Sequence, residues 1–310
     1  MKILVTGADG FVGRHLVRRL VETGHQVSAA CRPGGEPVDS WLGARWRDAV
    51  ETVPLEITDS SSVRGALNVS VDGIVHLAAV AYSQEARSDP SQAWSVNAEG
   101  TARLLAAAAK QRLPNSAGPL VIVASSAEVY GEGESHPRRE TDATRPSSVY
   151  GWSKLGAEAA AGHAVVAWGL RVIVVRPFPA TGPGQTNRLV PNWLSALRAG
   201  QREIDGDPAI VRDYVDVRDT AEAYLALLGS GRPGETYNLA TGHELRFSDL
   251  FTRLTEALGV SAQLVPPTGP PRSGIVHLVG DPRKLQQHTG WEPIIPLEQT
   301  LADLIDAQAH

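Results

Sequence analysis

A doubly wound α/β fold on a parallel sheet is what this sequence predicts, and three observations carry the prediction. Short apolar runs recur without the polar alternation of a half-exposed strand, as in KILVT, GIVHLAA, LVIVAS and RVIVV. Segments of helical spacing separate these runs, and Gly7, Gly10 and Gly13 follow directly after the first of them. Strands apolar on both faces belong in a covered sheet, and the intervening helices supply the crossovers that parallel strands require.

The elements follow in order. KILVT opens the sheet, a helix starts near Val12, and QVSAA and DGIVHLAA are the next strands. A helix is expected from about Pro90 to Arg112, then the strand PLVIVAS, a helix after Ser148 and the strand RVIVVRP. After Arg176 the chain turns rich in Gly and Pro, in PFPATGPGQTN. A helix near Val190 to Ala199 follows, then VRDYVDV, a helix opened by Asp219 with Glu222 in capping-box spacing, the strand ETYNLA and a helix after Ser248. This predicts a Rossmann-type cofactor domain over residues 1–175, with return segments near 213–240. Residues 176–310 are mainly a smaller, interleaved C-terminal substrate lobe over the carboxyl ends of the strands, where ligands of such sheets bind.

Composition narrows the function. A chain of 310 residues can bury a substantial core. The net charge of −5 carries no block of like charges, which argues against nucleic acid or an anionic membrane as partner. No apolar stretch approaches the roughly 18 residues of a membrane span. Cys31 is the one cysteine, so no internal disulfide forms, and no metal-ligand pattern appears among nine histidines. A cytoplasmic, reducing setting is the expectation.

The motif GADGFVG lies between a strand and a helix, the context in which backbone approaches a pyrophosphate and helix N–H groups point at it. The second strand ends in VSAACRP, with Arg32 where an acidic residue would accept from the 2′-hydroxyl of NAD. Arg32, with Arg14 at the helix start, suits a 2′-phosphate instead. NADP(H) is favoured, with NAD(H) as the alternative.

Tyr150 and Lys154 in SSVYGWSK are four residues apart, on one face of the predicted helix. A phenol with pKa about 10 transfers protons poorly at neutral pH, and a nearby ammonium is expected to lower that value. Ser126 and Glu128, at the end of the strand PLVIVAS, supply a hydroxyl and a carboxylate for the other half of a site.

TGADGFVG, HLAA, SSAEVYG, YGWSK, GPGQ, VRDYVDVRD and TGWEPIIPLEQTL, in that order, resemble the extended short-chain dehydrogenase/reductases acting on nucleotide sugars. The resemblance implies Ser126, Tyr150 and Lys154 as catalytic residues, with Glu128 as an additional base in a dehydratase. It implies cofactor contacts at Gly7, Gly10, Phe11, Val12, Gly13, Arg14, Arg32, Glu56, Ile57, Leu77, Ala78, Ala79, Asn97, Tyr150, Lys154 and Pro177. For the substrate it implies Val80, Ser126, Phe178, Pro179, Asn187, Arg212 and Arg272, the two arginines clamping a diphosphate.

Within that family the chain is most similar to 4-ketoreductases acting on GDP-4-keto-6-deoxymannose. A 4-epimerase or 4,6-dehydratase with bound NAD is the alternative, and a non-catalytic cofactor-sensing protein a remoter one. Pro179 stands where relatives often carry an asparagine, which removes an amide and an N–H. Ala157, Ala160, Ala161 and Ala164, with Ala102, Leu105, Ala106 and Ala109 on the preceding helix, form small-residue stripes. Relatives pair such helices in a four-helix bundle, so a homodimer is expected.

Overall fold

The structure, a computed structural model, describes residues 1–111, 118–133, 135–266 and 274–308. Its main sheet has seven strands: β1 (Lys2–Thr6), β2 (Gln26–Cys31), β3 (Val50–Pro54), β4 (Gly73–His76), β5 (Leu120–Ala124), β6 (Arg171–Pro177) and β7 (Thr236–Leu239). All pairs are parallel, in the order β3-β2-β1-β4-β5-β6-β7. The order reverses beside β1, the switch point at which a crevice opens over the carboxyl ends of such a sheet. The register that pairs Thr6 with His76 brings the ends of β1 and β4 side by side there.

Alternation along each strand feeds two cores. Ile3 and Val5 face helix α1 (Phe11–Glu22) and helix α3 (Val217–Ser230), packing with Leu16, Leu20, Tyr224 and Leu227. Leu4, Ile74, Val121 and Val123 face the other way, onto Leu104, Leu105 and helix α2 (Val149–Trp168). A third core gathers Trp193, Leu194, Leu197, Phe251, Leu254, Leu301 and Leu304 from the chain after β6.

Several elements differ from the sequence expectation. β3 is an edge strand whose side chains are mostly exposed, and VETVP carries no apolar run to announce it. The helix expected from Pro90 to Arg112 is Pro90–Trp94, a π-helical turn at Ser95–Glu99, and Gly100–Ala109. VRDYVDV holds two short strands, Val211–Arg212 and Val215–Asp216. The N-cap of α3 is Asp216, which accepts from the N–H of Arg218, and not Asp219. Asp219 lies in the first turn and accepts instead from the N–H groups of Ile294 and Ile295. Ala157, Ala161 and Ala164 are buried in the core of their own chain, as is Leu105, while Ala160, Ala102, Ala106 and Ala109 are partly exposed, so each stripe is only in part an intramolecular packing surface. The outer face of α2 is different: Trp152 is 50% exposed and Val166 88%.

Candidate active site

The glycine loop meets the loop after β4. Gly7 has φ 66°, and a Cβ there would sit 2.9 Å from the backbone nitrogen of Ala78; a Cβ on Gly13 would lie 2.1 Å from the Gly7 carbonyl oxygen. Both positions therefore exclude larger residues. Gly10 is the N-cap of α1, with no side-chain cap and no acidic residue in the first turn, which Phe11 and Val12 open. That terminus suits an anion. Leu77 and Ala78 are held to β1 through the Thr6 carbonyl and hydroxyl, leaving Ala79 to lead into the buried Val80. The closely approached backbone and the anion-ready helix end fit a dinucleotide cofactor.

At the adenosine end, Arg14 donates to the Asp9 carbonyl at 2.8 Å, pairs with Glu36 and stacks over Trp41 at 5.6 Å. Arg32 is exposed just past β2, and its charge reaches Glu56. The Glu56 carboxylate accepts from the N–H and hydroxyl of Thr58, which hold it below the usual carboxylate range, while Ile57 is buried. Asn97 sits in the π-helical turn. Its oxygen accepts from the Val80 N–H, and its amide donates to the Val80 carbonyl and the Ser153 hydroxyl, so every polar atom is taken within the protein. Asn97 thus shapes the site through Val80 and α2.

Ser126 ends the extended segment after β5 and accepts from the Glu128 N–H at 3.1 Å. Its side chain hydrogen-bonds to the Tyr150 phenol. Burial, then the Glu128 carboxylate, pushes that phenol up to about 12, against the lowering expected from its lysine neighbour. Lys154 Nζ instead donates to the Ala124 carbonyl at 2.8 Å, at the end of β5. Burial pushes Lys154 down to about 8, partly offset by Glu158. The cation that acts on the phenol is Arg188.

Glu128 is clamped. One carboxylate oxygen accepts from the Ser83 hydroxyl at 2.7 Å and the other from the Ser148 hydroxyl at 2.8 Å. Ser148 is also the N-cap of α2, so Glu128 ties the chain after β4 to the helix that carries Tyr150 and Lys154. Beneath it, Glu158 accepts both nitrogens of a buried Arg176 fork, at 2.9 and 2.7 Å.

The residues expected on the substrate side divide. Val80 packs against Tyr150 with Ala86 and Ala93. Phe178 is buried with Ala127, Val129, Tyr130 and Leu278, so its ring is packed in a core cluster. Pro177 ends β6, and the Pro179 carbonyl accepts from Val215 N–H at 2.9 Å. Asn187 is exposed and has φ 54°, the one positive value outside glycine among the described residues. Arg212 donates to the carbonyls of Val211, Ile275 and Val276, and the charges of Glu128 and Glu132 reach it. Arg272 lies outside the described residues.

Three participants carry no motif. Ser83 and Ser148 fix Glu128, and Arg188 crosses the cleft to lie 4.5 Å over the Tyr82 ring. Arg188 follows the positive-φ residue and precedes the helix Leu189–Arg198, a context with no distinctive spacing. Among the described residues no cluster of three or more His, Cys, Asp or Glu could hold a metal, and no helix is long and apolar enough to cross a membrane. Asp213, whose spacing with Asp216 and Asp219 raises the question of a metal, accepts from Thr241, Gly242 and Gly280.

The sequence profile of the NAD dependent epimerase/dehydratase family matches residues 3–240. The chain belongs to this family. Its members include NAD(P)-dependent nucleotide-sugar enzymes of oxidoreductase type, and the chain is such an enzyme. It is 30% identical to the GDP-6-deoxy-D-mannose reductase of Pseudomonas aeruginosa, over 98% of this chain and 96% of that protein. Among solved structures, the dTDP-glucose 4,6-dehydratase of Streptomyces venezuelae with NAD bound superposes at TM-score 0.89, with 27% identity and coverage of 100% and 97%. RMD of Pseudomonas aeruginosa complexed with NADPH superposes at 0.82, with 27% identity and coverage of 99% and 98%.

Proposed function

We propose that the protein is an NADPH-dependent reductase of the C4 ketone of a nucleotide-linked 4-keto-6-deoxyhexose. The cofactor, when bound, supplies the hydride. Tyr150 donates the proton to the carbonyl oxygen, and Ser126 orients that oxygen by a hydrogen bond. Lys154, held at the end of β5, takes the cofactor ribose hydroxyls in this reading. The Gly7, Gly10 and Gly13 loop takes the pyrophosphate, and Arg32 takes a 2′-phosphate. Val80, Pro179, Asn187 and Arg212 line the way to the sugar and diphosphate. Residues 1–175 with the return near 213–240 form the cofactor half, and 176–310 mainly the substrate half.

The observation that carries this choice is the pinned carboxylate beside a protonated phenol. Burial and the Glu128 charge keep the Tyr150 phenol protonated, so it carries the proton that reduction consumes, and Lys154 with the bound cofactor and substrate is what lowers its pKa for the transfer. A dehydratase would need Glu128 as a free base, yet both its oxygens accept from serine hydroxyls. One feature favours a second reading: Glu36 is tied to Arg14, which takes one cation from a 2′-phosphate and suits a 4-epimerase with NAD. Incubation with NADPH or NADH and a panel of nucleotide 4-keto-6-deoxyhexoses separates the two. Stoichiometric loss of NADPH with a new C4 alcohol supports the reductase, and conversion without net change in cofactor transfers the reading to the epimerase.

A homodimer through a four-helix bundle is part of the same proposal, with Trp152 and Val166 of α2 and the neighbouring Trp94 as its apolar face. Val166→Arg should then sediment as a monomer, and an unchanged assembly would refute it. A reducing cytoplasmic setting suits the single, buried Cys31.

A further inference from the structure

A chain of buried hydrogen bonds runs beneath the site from the glycine loop to the helix of Tyr150, with His76 at its centre. Thr6 Oγ1 lies 2.7 Å from His76 Nδ1, and His76 Nε2 lies 3.1 Å from Thr101 Oγ1. The Thr101 hydroxyl donates to the Asn97 carbonyl at 2.6 Å. Asn97 grips the Val80 backbone and donates to Ser153 at 2.8 Å, and Ser153 donates to the Tyr150 carbonyl at 2.8 Å. Thr6, His76, Thr101, Asn97 and Ser153 are all buried.

The donors assign the tautomer. Thr6 Oγ1 already accepts from the Ala78 N–H at 3.1 Å, and the Thr101 proton is committed to Asn97. Every hydroxyl proton then has an acceptor only if Thr6 donates to an unprotonated Nδ1 and Nε2–H donates to Thr101. A second ring proton would leave Thr6 without its acceptor, beside the buried charge of Lys154 that already acts on this ring. Fully satisfied buried networks of this kind fix a single geometry.

We propose that His76, as the neutral Nε2–H tautomer, is a positioning residue that couples the glycine loop and the Leu77 to Val80 segment to the helix carrying Tyr150 and Lys154. The proposal rests on the reading of that loop as the cofactor site and of Tyr150 as the acid. The cofactor's seat and the proton donor thereby share one rigid support built of side-chain hydrogen bonds.

Three measurements on the full chain test this. Nitrogen-15 correlation spectra should show His76 in the Nε2–H form, unchanged between about pH 6 and pH 8, where an unperturbed histidine titrates. A titrating or Nδ1–H His76 overturns the proposal. His76→Leu should raise the cofactor Kd, with NADPH and NADH both titrated, about tenfold, and lower kcat about tenfold with substrate KM held within about twofold. His76→Gln, which keeps a donor and an acceptor, should recover most of both. Wild-type Kd and kcat in His76→Leu overturn the proposal, as does a Gln variant as impaired as Leu with equal loss of melting temperature. Should the Leu variant not fold, the spectra and the Gln variant still decide. Retained turnover in Tyr150→Phe would refute the functional reading instead, and leaves the tautomer and Kd measurements to judge His76.

Discussion

The Ser148 hydroxyl donates to the Glu128 carboxylate at 2.8 Å while it caps the helix that carries Tyr150. Ser148→Ala removes both bonds, and loss of a cap costs about 1 kcal/mol. Thermal unfolding should register that loss. Glu128→Gln keeps one acceptor and the packing, so reductase turnover should fall less than about tenfold, against the 10²- to 10⁴-fold expected on removing a general base. A loss in that larger range, measured as NADPH consumption, would make Glu128 part of the proton transfer in reduction and contradict its role as a clamped, structural carboxylate.

Lys154 makes stability depend on pH in an unusual direction. Its folded pKa, pushed down to about 8, lies below the ordinary value of 10.5. Between the two, the unfolded chain binds the extra proton, so stability rises with pH across that window. Below about pH 8 the buried charge is a cost, on the order of 3 kcal/mol before its bond to Ala124 is counted. Relative to wild type, Lys154→Met should therefore gain most near neutrality, and the difference should shrink as pH rises toward 10.5. Urea unfolding at several pH values measures it; a difference independent of pH contradicts the account.

Arg176 and Glu158 form a buried, bidentate pair that also receives the Ser125 hydroxyl. Removing one partner leaves the other charge uncompensated. Glu158→Gln should cost about 3–5 kcal/mol in denaturant unfolding.

Arg138 presents the reverse case. It is buried, and its Nε and Nη2 have no hydrogen-bond partner among the described residues. Its guanidinium lies where a Cβ on Gly133 would approach within 2.4 Å. Arg138→Met removes an unsatisfied charge while keeping most of the volume, and should stabilise the fold by about 1–3 kcal/mol. A lower unfolding midpoint would contradict this.

Local chemistry decided what was legible in the sequence. The strand runs and the Gly7 loop were readable because burial on both faces and a close backbone approach each demand a narrow set of residues. Tyr150 and Lys154 were brought together by helical spacing, and Ser126 joined them through its place at the end of the strand PLVIVAS and the family resemblance. β3 was missed because an exposed edge strand needs no apolar run. The alanine stripes were ambiguous because alanine suits any close approach, whether to a neighbouring helix or to the chain's own sheet, and Ala157, Ala161 and Ala164 meet the latter. Phe178 and Asn97 were taken as contacts from their motif positions, although both side chains are consumed inside the protein. Arg188 and the Glu128 clamp depend on where long side chains end in three dimensions, which no spacing encodes.

The central claim is that Tyr150 protonates the oxygen of a sugar ketone that receives hydride from NADPH. Wild-type protein and Tyr150→Phe, each given NADPH and the panel of nucleotide 4-keto-6-deoxyhexoses, test it most directly. The account predicts NADPH oxidation matched mole for mole by C4 alcohol in the wild type, and at least a 10²-fold slower rate in the variant with NADPH affinity within about twofold. Turnover retained in Tyr150→Phe, or sugar conversion by the wild type without net NADPH loss, would contradict it.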